Sequence, residues 1–185
     1  MNPVKSAFAL LRYAPIALGV NWNDQLLMKD IKRWKVQYHL QCRDWYALAV
    51  LLYCYPEFRN LFIYRNRFRR VYRTWIGMWY RPMDTLYIQT KEIGGGFFIQ
   101  HGFATMISAE SIGENCWVNQ QVTIGYKGDG ERAPVIRNNV MITCGAKVLG
   151  PITVEDNVVI GANAVVITDV KSNSVVGGIP ARRIK

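Results

Sequence analysis

Histidine is nearly absent from this sequence: among its 185 residues there are His39, His101 and no third. A hydrolytic zinc centre of the usual kind needs several such ligands, so that class of metalloenzyme is excluded and no metal is expected. Cysteines are few, and Cys42, Cys54, Cys116 and Cys144 show no CxxC or other metal-binding spacing. They are read as reduced thiols of a cytoplasmic protein, each a small buried hydrophobe. Long apolar runs are lacking as well. The longest, Trp45–Tyr55, covers eleven residues, about half of a bilayer span, so no transmembrane helix is expected. The opening MNPVKSAFALLRYAPIALGV carries an arginine in its apolar part and has no small-x-small cleavage site, so no signal peptide is expected there.

Other scarcities are local. Residues 1–82 hold only two of the fifteen glycines and four acids against fourteen Lys and Arg, whereas residues 83–185 hold nine of each sign. The whole net charge of +10 therefore lies in the first part, together with 17 of the 23 aromatic residues. These shifts place a boundary near Arg81–Asp84, between a basic, aromatic-rich helical region (1–82) and a glycine-rich domain (83–185).

In the first region Asn23–Asp24 is placed to cap a helix running toward Tyr55, with Leu26, Leu27, Ile31, Trp34, Tyr38 and Trp45 along one stripe until Pro56 stops it. His39 falls inside this helix and is read as structural. Pro56-Glu57 then opens a second helix, along which Phe58, Leu61, Phe62, Phe68, Tyr72, Trp75 and Trp79 recur at threes and fours, with Arg59, Arg67, Arg70 and Arg73 on other faces. Three uses fit so basic a helix: packing on the neighbouring domain or a subunit, peripheral contact with an anionic membrane, or nucleic-acid binding. No nucleic-acid motif accompanies the charge, and no nucleic-acid partner is expected.

The second region repeats with a period of six. Branched aliphatics stand at Ile136, Ile142, Val148, Val154, Ile160 and Val166, preceded by Ile93 and Ile99 and by Ile112, Val118 and Ile124. Neither a helix nor a single strand generates sixes over such a length. Six is the period of a hexapeptide β-helix, in which each aliphatic points into the axis and Gly, Asn and Asp make the turns. Three hexapeptides close one triangular coil, so Ile93–Val170 predicts about four coils. Gln100–Ser111 and Gly125–Pro134 read as irregular interruptions, the second as a protruding loop. His101 lies in the first of them, and irregular segments on a stiff solenoid are where function collects. Imidazole is the side chain best suited to take up and return a proton near neutrality. The chain closes on VVGGIPARRIK, with Arg182, Arg183 and Lys185 clustered.

Three segments carry a resemblance: IQHGFATMISAESIGENCWVNQQVTIG, ITCGAKVLGPITVEDNVVIGANAVVITDV and the final GGIPARRIK. Over roughly residues 86–185 they resemble the hexapeptide-repeat O-acetyltransferases, in particular the serine acetyltransferase-like branch, which includes acetyltransferases of capsular and exopolysaccharide biosynthesis. The resemblance implies a left-handed parallel β-helix, assembled as a homotrimer or a dimer of trimers, with acetyl-CoA in a groove between neighbouring β-helices. It implies His101 as general base for an acceptor hydroxyl. It also implies Cys144, Gly145, Gly161 and Ala162 along the pantetheine groove, and Arg182, Arg183 and Lys185 at the nucleotide end of acetyl-CoA, where cations suit phosphates.

Two departures bear on the acceptor. The serine enzymes orient their histidine with an aspartate in the preceding coil, but the matching Leu86–Thr90 is LYIQT and has no acid; they also carry a second histidine where this chain reads GERAPVI, with Ala133 at or beside the place. Asp84, Glu92 and Glu110 are the acids available to orient His101 instead. A neutral saccharide hydroxyl is therefore the expected acceptor, in surface (capsular or exo) polysaccharide biosynthesis. Serine, as in cysteine biosynthesis, is the alternative, and a non-catalytic β-helix scaffold is the alternative of another class. The expected location is the cytoplasm, peripheral at the inner membrane face if the basic helices contact lipid.

Overall fold

A computed structural model describes residues 3–128 and 132–185. The chain divides into two compact units, Met1–Met83 and Asp84–Lys185.

The first unit has five helices: α1 (Pro3–Ala17), α2 (Gln25–Gln37), α3 (Asp44–Cys54), α4 (Pro56–Arg65) and α5 (Arg70–Trp79). Asp24 caps α2, accepting from the backbone N–H of Leu26 and Leu27 at 2.9 and 3.2 Å, and Pro56 starts α4. The two long helices predicted from the sequence are each broken. After α2 the chain turns at His39, whose φ is +52°, and the Leu40 N–H reaches back to the Lys35 carbonyl at 2.9 Å. That is a helix-closing turn made without the glycine that normally marks it. His39 thus lies beyond the helix and not inside it. Between α4 and α5 the break falls at Asn66, whose side-chain amide donates to the Phe62 carbonyl at 2.9 Å. The first helix, α1, has no counterpart in the sequence-based expectation.

The apolar run beginning at Trp45 becomes α3, buried from Ala47 to Leu52. Around it Trp34, Phe58 and Phe62 are fully buried, with Trp34 and Phe58 edge to face at 5.0 Å. Within this core Asp30 receives Arg65 through two hydrogen bonds, at 2.7 and 3.2 Å. No helix among the described residues is long and apolar enough to cross a membrane.

The second unit is a triangular coil of five turns, one more than the run of sixes predicts. Its parallel strands stack into three sheets. The first holds Leu86–Ile88, Thr105–Ile107, Thr123–Gly125, Lys147–Leu149 and Val165–Val166. The second holds Glu92–Ile93, Ser111–Ile112, Val135–Ile136 and Thr153–Val154. The third runs from Phe98–Ile99 through Trp117–Val118, Met141–Ile142 and Val159–Ile160 to Val175–Gly177. Register aligns the inward residues into three columns: Ile88, Ile107, Ile124, Val148 and Val166; Ile93, Ile112, Ile136 and Val154, with Val170 bridged to the last; and Ile99, Val118, Ile142, Ile160 and Val176.

The corner between the second and third sheets shows why the period holds. Asn115, Asn139, Asn157 and Asn173 all occupy the left-handed region, with φ from +56° to +59°, a conformation asparagine tolerates best after glycine. The side chains of the last three form a ladder, Asn139 donating to Asn157 and Asn157 to Asn173 at 3.1 and 3.0 Å.

Gln100–Ser111 is not the irregular segment expected. It contains the strand Thr105–Ile107, in register on both sides. Its only excess is two residues, because Ile99 and Ile107 stand eight apart where Val118 and Ile124 stand six apart. Ile124 and Ile136 are twelve apart, which leaves room for the expected loop; residues 129–131 of that loop lie outside the described residues.

Candidate active site along one edge of the coil

The corner between the third and first sheets carries most of the residues singled out from the sequence. Backbone bonds align it. Gln121 N–H donates to the Phe103 carbonyl, Gly145 N–H to Gln120 and Asn163 N–H to Cys144, at 3.0, 3.0 and 2.9 Å. Phe103, Gln120, Cys144 and Ala162 therefore form one column, and Ala104, Gln121, Gly145 and Asn163 form the next. Gln100, Asn119, Thr143 and Gly161 precede them. Within this stack His101 and Gly102 are the two extra residues. They stand outside the register between Gln100 and Phe103, and His101 is exposed.

The backbone is under strain where the insertion sits. His101, Ala104 and Gln121 have φ of +57°, +51° and +60°, and each carries a Cβ that makes this region cost about 1–2 kcal/mol. Such outliers gather where surroundings over-determine a functional geometry. In the following turns the same corner is occupied by Gly145, with φ of +73°, and Asn163. A Cβ at Gly145 would collide with the Asn163 side chain.

Successive coils lie about 4.8 Å apart, so Ala162 stands about 14 Å along the edge from the His101 corner, with Cys144 between. Cys144 is half-buried and Ala162 exposed. Beyond the last turn the chain reverses at Gly178. Arg182–Arg183 then pair antiparallel with Val176 and Gly177, which places both arginines, exposed, at the end of the third sheet. Lys185 is exposed beside them, its carbonyl accepting from Arg183 Nε at 3.1 Å.

Of the three acids considered for His101, only Asp84 shares its edge, since Thr105 N–H donates to the Thr85 carbonyl at 3.0 Å and sets Asp84 below Phe103. Glu92 belongs to the second sheet, and Glu110 lies at the opposite corner, its N–H on the Pro134 carbonyl. Among the described residues the imidazole makes no hydrogen bond or ion pair with any of them. Within the segment that has no acid, Leu86 and Thr90 are buried and Tyr87 is exposed, and Ala133, at or beside the place of the second histidine, is buried.

The sequence-based reading missed the amides around His101. Asn119 Nδ2 donates to Gln100 Oε1 at 3.3 Å, and Gln120 Oε1 is buried with no protein partner among the described residues. A buried acceptor left open costs about 1–3 kcal/mol unless a donor meets it. The run Asn119-Gln120-Gln121 was the available signal, but only the stacking register shows that it faces the His101 corner.

The chain is similar to serine acetyltransferases. It is 39% identical to that of Synechococcus elongatus over 149 residues, covering 75% of this chain and 60% of the relative. It is 47% identical to that of Staphylococcus xylosus over 97 residues, covering 51% and 45%. It thus spans about half to three-fifths of the length of these relatives. The solved structure of the serine O-acetyltransferase of Brucella melitensis matches it with a TM-score of 0.66 at 27% identity, over 86% of this chain and 68% of the other. No protein-family model matches the sequence. By its period of six, its five-turn triangular coil and these relatives, the chain is a hexapeptide-repeat, left-handed β-helix protein similar in sequence and fold to the serine acetyltransferases.

Proposed function

We propose that the protein is an acetyl-CoA-dependent O-acetyltransferase whose acceptor is serine. The observation that carries the chemistry is the two-residue insertion, which holds His101 outside an otherwise closed stack and on the edge that also bears Cys144 and Ala162. The likeness to serine acetyltransferases supplies the acceptor, and it favours serine over the saccharide expected from the sequence.

In this reaction the acceptor oxygen attacks the acetyl carbonyl of the thioester while His101 takes its proton. The carbon–sulfur bond then breaks, and the thiolate leaves with the proton returned by the imidazolium, giving the acetyl ester and free CoA. A base within about 3 Å of the hydroxyl is worth 10²–10⁴-fold. The small corner residues Cys144, Gly145, Gly161 and Ala162 fit the pantetheine arm, which must lie close to backbone amides. Arg182, Arg183 and Lys185 supply cations for the phosphates. A neighbouring copy, in a homotrimer or a dimer of trimers in the cytoplasm, closes the other side of the groove.

A second acceptor class has one observation in its favour. Besides Asp84, the corner that bears His101 carries the neutral amides of Gln100, Asn119 and Gln120 in register, a set suited to a saccharide hydroxyl. Thiol release from acetyl-CoA, measured with serine and with a panel of nucleotide- and lipid-linked sugars, decides between them. Serine-dependent release supports the proposal, and release with a sugar alone replaces it by the second reading. Silence with every acceptor leaves a non-catalytic scaffold and overturns both.

A further inference from the structure

Helix α5 turns two different apolar stripes in two directions. Ile76 and, just beyond the helix, Tyr80 are fully buried in the helical unit. Val71, Trp75 and Met78, spaced four and three, face outward, with Val71 87% and Met78 73% exposed, and Phe68 before them is 82% exposed. Helix α1 repeats the pattern with Val4, Phe8 and Leu11, again spaced four and three and again exposed. A helix of a soluble protein ordinarily has one such stripe, facing its core.

The two exposed stripes belong to helices that are tied together. Trp75 Nε1 donates to the Pro15 carbonyl at 2.9 Å, Tyr72 Oη to Ile16 at 2.8 Å and Arg12 Nε to Trp79 at 2.8 Å. Because the Trp75 N–H is already satisfied, its ring can enter an apolar medium without stranding a donor. On α5 the side chains of Val71, Trp75 and Met78 line one apolar concavity, and exposed apolar surface of this kind marks an interaction site.

Arginines flank the stripe: Arg69 lies over the Tyr72 ring at 4.4 Å, and Arg70 and Arg73 are exposed with no ion pair among the described residues. The unit carries fourteen Lys and Arg against four acids, so a second copy placed on this face would bring like charge against like. An anionic bilayer is complementary in both respects, offering phosphates to the arginines and acyl chains to the valine, methionine and tryptophan. We propose that the exposed face of α1 and α5 docks the protein peripherally on an anionic phospholipid bilayer. The proposal is independent of the chemistry at His101.

The test is co-sedimentation of the full chain with vesicles of phosphatidylcholine, with and without an equal share of phosphatidylglycerol. Binding is expected to the mixed vesicles only, and to be lost in molar salt. Val71→Glu/Met78→Glu and Arg70→Gln/Arg73→Gln, all at exposed positions, should each weaken it at least tenfold with the helical circular dichroism unchanged. Failure to sediment, equal binding to neutral vesicles, or undiminished binding by both variants would overturn the proposal. So would a lipid-free oligomer, seen by analytical ultracentrifugation, that Val71→Glu/Met78→Glu dissociates, since the face would then be a contact between copies.

Discussion

Gln121 N–H donates to the carbonyl of Phe103 at 3.0 Å, although both residues sit beside an insertion that should have thrown the two turns out of register. The bond keeps the corner continuous and leaves His101 and Gly102 as the residues that must bulge outward. A histidine on a surface bulge is free to meet a substrate, and its neighbours fix where it stands.

His101→Ala should lower acetyl transfer by 10²–10⁴-fold while leaving acetyl-CoA binding within about twofold. Steady-state thiol release and equilibrium binding on the same preparation separate the two effects. Undiminished transfer in the variant would remove His101 from the chemistry.

Cys144 should be shielded by the cofactor. With iodoacetamide and mass spectrometry, CoA at about ten times its Kd is expected to slow alkylation of half-buried Cys144 by about tenfold. Exposed Cys54 should react at the same rate with or without it. Equal labelling of Cys144 in both conditions would move the pantetheine arm off this edge.

The Asp30–Arg65 pair lies in the helical core, with side chains 0% and 2% exposed. Asp30→Ala strands a buried guanidinium, and the denaturant midpoint should fall by the equivalent of about 3–5 kcal/mol. Adding Arg65→Met should recover part of that loss, because the uncompensated charge is then gone.

Cys116 makes stability sensitive to alkali. Burial pushes its thiol from the ordinary 9.0 up to about 11. Above pH 9 the unfolded chain therefore releases this proton while the native one holds it. The contribution is complete below pH 9 and is lost as pH rises through 11, about 2–3 kcal/mol for a shift of this size. Tyr13 and Tyr80, both pushed up to about 12 by burial, should extend the decline. Thermal melts across this range should show a shallower fall for Cys116→Ala between pH 9 and 11, whatever its baseline stability.

Much of the coil was legible from residues such as Ile136, Val148 and Ile160, because a solenoid contacts only its own neighbouring turns and local period becomes architecture directly. The first and last turns were not, since Leu86–Ile88 and Val166–Val170 depart from six. The helices were legible where a proline or a capping aspartate spoke, at Pro56 and Asp24. They were missed where His39 or Asn66 ended a helix through a backbone turn or a side-chain amide that no glycine announced.

The sequence by itself determined the period, the inward aliphatics and the charge imbalance, since each depends on residue identity at fixed spacing, while its resemblance to the serine acetyltransferase-like branch singled out His101 as the candidate base. Only the tertiary structure decided that His101 shares an edge with Cys144 and Ala162, that of the three candidate acids Asp84 alone lies on it, and that the stripe of α5 splits into a buried and an exposed side. Those relations join residues far apart in the chain, and they follow from the stacking register of the coil and the packing of α1 against α5.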